Sequence, residues 1–287
     1  MSQLTPEERA QLTPEQRESL VHYGYQEPEP VRHEPRFRLL RKLWVPIALL
    51  IGLLAKFKAV FFAVWKLKVV STSATMLVSV AAYALLWGWK FGVGFVVLLF
   101  IHEMGHVLEA KRQGLPVSAP MFIPFLGALI TLKEMPPNAW KEAQIALAGP
   151  IVGSLGAAGF WVAGEAIDSE LLVALAFVGF LLNLFNLLPV SPLDGGRAAA
   201  AIHPVLWLVG LVGLIALTIV APNPILIIVL LFGGMDVWQR WKTRNHPELQ
   251  AYYRIAPWQR GVVGVVYLGL AASLAVAMSA THIEKDV

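Results

Sequence analysis

From residue 72 onward the chain alternates long apolar runs with short polar breaks. Apolar stretches near 72–89, 91–110, 141–163, 170–189, 204–221, 223–239 and 260–279 approach the roughly 20 residues an α-helix needs to cross about 30 Å of hydrocarbon, and each predicts a spanning helix. An earlier run, 43–65, is broken by Lys56 and Lys58. A centred span there would place two charges near mid-membrane at about 2.5 kcal/mol or more each, so residues 43–68 are expected to lie at the interface as a membrane-associated helix. Residues 1–42 read as a polar tail. Within it LTPEER and LTPEQR, eight positions apart, each offer a Thr cap, Pro at the first helical position and an acidic or amide residue in the first turn. That composition predicts a solvated, partly helical tail, with a docking arm for a partner as the alternative. The opening residues lack the apolar core of a cleavable signal.

Between the second and third spans lies APMFIPFLGALITLKE, residues 119–134. Its β-branched and aromatic arms around Gly127 predict a hairpin or re-entrant loop, with an interfacial anchor as the alternative. The expected architecture is therefore an all-α polytopic membrane protein: a bundle of about six or seven transmembrane helices with a short β-like or re-entrant segment after the second span.

Composition agrees with an integral membrane protein: 57% of the 287 residues are hydrophobic and 15% charged. With no cysteine, any metal must be held by His, Asp or Glu. The net charge of +4 does not point to nucleic acid, because the basic residues sit at the ends of apolar runs rather than on one surface. Lys66, Lys68, Lys111, Arg112, Arg197 and Arg240 fall on one set of turns, whereas the alternate connections are GWK, the acidic GEAIDSE and the uncharged APNP. By the positive-inside rule the first set faces the cytoplasm. The tryptophans cluster near span ends, as an interfacial belt does.

HEMGH, residues 102–106, lies inside the second span. Residues four apart share a helix face about 6 Å apart along the axis, so His102 and His106 can present both rings to one ion while Glu103 points nearby without being a ligand. That is the zinc-hydrolase pattern. Ionisable groups inside a span are expensive and mark function by default, which disfavours a pair of merely packing histidines. From Phe91 to His102 is about 16 Å of rise, so the pair sits past the midplane toward Lys111 and Arg112.

A hydrolytic zinc site takes three protein ligands and leaves one position open. Of the four aspartates, Asp168 and Asp286 lie in an outer connection and at the terminus, leaving Asp194 and Asp236 on the required side. Asp194 belongs to NLFNLLPVSPLDGGR, where Pro189 and Pro192 stop a helix and Gly195 and Gly196 permit a tight backbone. It is the expected third ligand. Glu109, seven residues after His102 on the same face, and Asp236 are its rivals.

HEMGH, together with Asn186, Pro189, Leu193, Asp194 and Gly195 in the pattern N-x-x-P-x-x-x-L-D-G, resembles the site-2 proteases, intramembrane zinc metalloproteases. The resemblance covers about residues 70–200. It implies one Zn2+ held by His102, His106 and Asp194, Glu103 as general base and acid, and Asn186 orienting substrate or polarising its carbonyl. It also implies a site open to the cytosol and residues 69–200 as the catalytic transmembrane core; beyond residue 200 the resemblance is weak, and the apolar runs there make 201–287 C-terminal transmembrane helices. ALAGPIVGS resembles the family's Gly-Pro motif, with Gly149 and Gly153 giving close helix contact. The implied activity is cleavage of membrane-anchored proteins within the lipid bilayer, in regulated intramembrane proteolysis. The resemblance further suggests the bacterial inner membrane as its place and anti-sigma factors as one kind of substrate. A PDZ or CBS module is not expected. A transporter or metal-sensing scaffold would spread polar groups along several spans, whereas here they concentrate in two segments.

Overall fold

The structure, a computed structural model, describes residues 11–16, 72–243 and 245–282. The interfacial helix expected over 43–68, and most of the 1–42 tail, lie outside the described residues. The chain divides into two units, 1–41 and 42–287. In the first, Thr13 donates from its backbone N and its Oγ1 to Gln16 Oε1 at 2.9 and 3.1 Å, closing the helical turn that LTPEQR predicts.

The second unit begins with α1 (Thr72–Trp87) and α2 (Trp89–Arg112). They are separated by Gly88, whose φ of +82° suits a residue without a Cβ. An antiparallel ribbon follows, with β1 (Met121–Ile123) pairing β2 (Gly127–Leu129) in the register Met121↔Leu129, Phe122↔Ala128 and Ile123↔Gly127. The expected hairpin is present, but Gly127 opens its second strand rather than forming the bend. Pro124, Phe125 and Leu126 make the turn, and Phe125 takes the positive φ of 65°. Two bonds lay the ribbon along α1: Phe122 N donates to Thr75 Oγ1 at 3.3 Å, and Phe125 N to Tyr83 OH at 3.1 Å. Phe122 is buried with Tyr83, Val96 and Leu99.

The remaining helices are α3 (Ala139–Ala166), α4 (Glu170–Asn186), α5 (Asp194–Ile202), α6 (Leu206–Val220), α7 (Pro224–Thr243), α8 (Pro247–Tyr252) and α9 (Pro257–Ala280). Asn138 caps α3 by accepting from Lys141 N at 3.0 Å. The seven predicted spans correspond to α1 to α4, α6, α7 and α9, each boundary shifted by no more than about four residues. Four of these, α2, α3, α7 and α9, run 20 to 28 residues and are long and apolar enough to cross a membrane. Helices α1, α4 and α6, at 15 to 17 residues, are apolar but fall short of the usual crossing length. The expected count of six or seven spans therefore rests on reading these three as crossing too.

The core between α2, α3 and α4 is built from small side chains, Ala143, Ala146, Ala157 and Ala176, around Leu98, Leu175 and Phe180. Small residues let helix backbones approach where lipid offers no hydrophobic drive for association. Gly105 of α2 packs against the Ala148 carbonyl of α3, where a Cβ would overlap. After α4 the chain folds back tightly into α5. Gly195 lies against the Leu187 carbonyl and Gly196 against the Ser191 amide, and neither position has space for a side chain.

The C-terminal elements brace α5 from outside. Trp207 Nε1 donates to Gly196 O at 2.8 Å, and the Arg260 guanidinium donates to Ala201 O, Ile202 O and Tyr253 O at 3.0, 2.8 and 2.7 Å. A cation at a helix C-terminus satisfies carbonyls that have no partner within the helix. Burial pushes the Tyr253 phenol up to about 12 and raises that of Tyr252, so both stay protonated and Tyr252 donates to Glu142 Oε2 at 2.8 Å.

Candidate metal centre

Helix α2 supplies His102, Glu103 and His106 from consecutive turns, and all three are buried. Helix α5 supplies Asp194 in its first turn, where the helix dipole favours a negative charge. The tight backbone at Gly195 and Gly196 brings this carboxylate back to α2 across 92 residues of sequence, to 3.1 Å between Oδ2 and His102 Nε2. His106 Nε2 stands 3.2 Å from the same oxygen and 3.2 Å from His102 Nε2. Among the described residues, these three form the group of His and carboxylate side chains that could hold a metal ion.

The outward nitrogens fix what the inward ones present. His106 Nδ1 lies 2.7 Å from Ile145 O, an acceptor only, so Nδ1 carries a proton and Nε2, turned toward the centre, is the atom that can offer a lone pair to a metal. His102 Nδ1 lies 2.8 Å from Asn183 Oδ1. Two imidazole Nε2 atoms and a carboxylate oxygen therefore meet at one point, and with zinc bound each would present a lone pair to it. Without a cation these acceptors repel one another, and a single proton can join only two of them. The spacing suits a small tetrahedral cation, for which donors at about 2.0–2.1 Å stand roughly 3.3–3.4 Å apart. The residues present thus fit zinc in both chemistry and spacing.

Around this group, Arg197 Nη2 donates to Asp194 Oδ1 at 2.5 Å, holding the carboxylate so that Oδ2 faces the histidines. Glu103 lies within electrostatic reach of His106, His102, Asp194 and Arg197. The two glycines of ALAGPIVGS each face a polar side chain of the site: Gly149 lies against the His106 ring and Gly153 against the Asn183 amide, with no space for a Cβ at either.

The rivals for third ligand are engaged elsewhere. Glu109 is bonded to Arg112 at 2.6 and 2.7 Å, and Asp236 pairs with Arg240 at 2.5 Å. Asn186, at the end of α4, is half-buried, and it is Asn183, one turn earlier, that touches His102. Sequence reasoning missed Asn183 and Arg197. The signal for the first was available, since an amide inside an apolar span needs a partner; it stands at the start of the same NLFN that ends in Asn186. His203 stands apart from this group, and its Nδ1 accepts from Val205 N at 3.2 Å.

Residues 90–169 match the family model described as peptidase family M50. Over these residues the chain is similar to the M50 peptidases, the site-2 protease family. The matched segment contains both histidines and Glu103, and Asp194 lies beyond its end. The chain is similar to the putative zinc metalloprotease Rip3 of Mycobacterium tuberculosis, 36% identical over 141 residues that make up 45% of this chain and 36% of that protein. It is also similar to a putative zinc metalloprotease of Synechocystis, 32% identical over 123 residues, 40% of this chain and 32% of the relative. A zinc metalloprotease of Methanocaldococcus jannaschii is 29% identical over 167 residues, 55% of this chain and 47% of the relative. The chain thus spans about a third to a half of the length of these relatives.

Proposed function

We propose that the protein is an intramembrane zinc metalloendopeptidase that hydrolyses peptide bonds in or near transmembrane segments of membrane-anchored proteins, in regulated intramembrane proteolysis. The observation that carries this reading is the convergence of His102 Nε2, His106 Nε2 and Asp194 Oδ2 within 3.2 Å of one another inside an apolar bundle. These three residues would hold the ion. When bound, zinc supplies Lewis acidity that polarises a carbonyl and makes water acidic near neutral pH.

Glu103 does the proton work. Buried beside the histidines, it takes a proton from the attacking water and returns it to the departing amine. Asn186, at the mouth of the tight fold that leads into α5, orients the substrate carbonyl. A helical substrate has its carbonyls tied in hydrogen bonds and must unwind before attack, so Gly or Pro near the cleaved bond favours cutting. The β1–β2 ribbon can take the unwound segment as an added strand. β1 is secured to α1 through Thr75, which leaves β2 as the edge to receive it.

In this reading α1, α4 and α6 cross the bilayer with the four longer helices, giving seven crossings in the described residues. Basic residues on one set of connections support a site toward the cytoplasm, and the resemblance to the site-2 proteases supports the bacterial inner membrane as its place.

Coexpression of wild type or Glu103→Ala with candidate single-span substrates tests the proposal. Fragments should appear with wild type and fall by at least about a hundredfold with the variant, the usual range for losing a general base. Equal fragments from both would refute it.

A further inference from the structure

We propose that Asn183 is a positioning residue for the metal centre: its Oδ1 accepts the Nδ1–H of His102 and thereby keeps His102 Nε2 unprotonated and aimed at His106 and Asp194. The inference deepens the zinc-protease reading and rests on it for its functional meaning.

The argument starts from cost. Asn183 is 1% exposed in the last turn of an apolar helix, where a buried amide without partners is expensive. Its two ends are both engaged. Nδ2 donates to Gly179 O at 2.7 Å, the carbonyl one turn back on its own helix. A carbonyl only accepts, so this contact fixes which end of the amide is nitrogen and turns Oδ1 toward His102 Nδ1 at 2.8 Å. Oδ1 also only accepts, so the proton of this bond sits on Nδ1 of the ring. The free lone pair of the neutral imidazole is then at Nε2, the atom facing Asp194 Oδ2 at 3.1 Å.

A simpler role, gluing helices together, accounts for the contacts less well. The Gly179 bond stays within α4 and ties it to nothing else. The one hydrogen bond from this side chain that crosses to another helix ends on a ring of the metal centre. The wall behind it is shaped to match, because Gly153 of α3 lies against the amide where any Cβ would overlap Oδ1. His106 receives the equivalent service from the Ile145 carbonyl. The pair thus has one backbone and one side-chain acceptor, and the side-chain one can be changed by substitution. Acceptors behind metal-bound histidines fix the tautomer and ring direction, and losing one typically lowers metal affinity ten- to a hundredfold.

The test uses the full chain in detergent or nanodiscs. Zinc affinity is measured by competition with a chromophoric chelator for wild type, Asn183→Leu and Asn183→Asp. In zinc-free wild type, the 15N shifts of the His102 ring report its tautomer. The expected results are an Nδ1–H tautomer for His102, a ten- to hundredfold weaker zinc affinity in Asn183→Leu, and affinity within a few-fold of wild type in Asn183→Asp, which keeps the acceptor. A purely packing role predicts that both variants weaken alike. The inference is overturned by an Nε2–H tautomer in wild type, by Asn183→Leu binding within threefold of wild type, or by equal losses in the two variants. If wild type itself fails to bind zinc, the protease reading fails, and the ring tautomer still decides the role of Asn183.

Discussion

Gly149 of α3 lies directly against the His106 ring of α2, with less space between them than one methyl group requires. The helix contact and the metal centre therefore share a single surface. Gly149→Ala must push the imidazole or separate the helices, an overpacking cost of about 1–3 kcal/mol. The expected result is a lower melting temperature together with loss of bound zinc. Gly159→Ala, on the same helix with open space around it, should leave both unchanged. Metal analysis of the purified variants checks this, and a Gly149→Ala protein with full zinc content would contradict it.

Asp194→Asn should lose most of its zinc, because an amide is a far weaker ligand than a carboxylate and cannot offset the ion's charge. Glu109→Gln and Asp236→Asn should keep one zinc per chain, since both carboxylates are committed to arginines away from the histidines. Elemental analysis of the three variants distinguishes the ligand from its rivals in sequence.

Removing metal should destabilise the fold as well as stop cleavage. The two Nε2 atoms and the Asp194 oxygen, all acceptors 3.1 to 3.2 Å apart, lose the cation that reconciles them. Treatment with a strong chelator is expected to lower the melting temperature, and added zinc should restore it by mass action. An unchanged transition with and without chelator would count against a metal at this position.

Arg260→Ala should cost about 2 kcal/mol or more, because three carbonyls at the end of α5 and at Tyr253 lose a charged donor. The measurement is denaturant unfolding of the purified protein. Cleavage per folded molecule should fall as well, since Asp194 sits at the other end of the same nine-residue helix. A variant as stable and active as wild type would show that this brace carries no weight.

Much of this arrangement was legible in the sequence, for identifiable reasons. Helices α2 and α3 stand out because apolar runs end at Gly88, Lys111 and Asn138, where charge, glycine or a cap stops them. His102 and His106 declare themselves by spacing, and Asp194 by the proline and glycine pattern around it. What stayed hidden was height along the helix. Asn183 and Asn186 are a turn apart on one side of α4, and hydropathy does not say which of the two amides is level with the histidines. The bend of the ribbon was misplaced for a different reason. Gly127 carries the expected positive φ of 96° yet opens a strand, while Phe125 adopts one of 65° with its backbone N held by Tyr83 OH. That is a tertiary contact no local rule reports.

The 92 residues that separate His102 from Asp194 also set an order of events during synthesis. While a ribosome is still making α3 and α4, the emerging chain already carries both imidazoles but has no carboxylate to complete their grip. A polypeptide stalled before residue 194 is thus an unarmed one. In the proposed protease, cutting could begin only after α5 has been threaded into place beside a helix made long before.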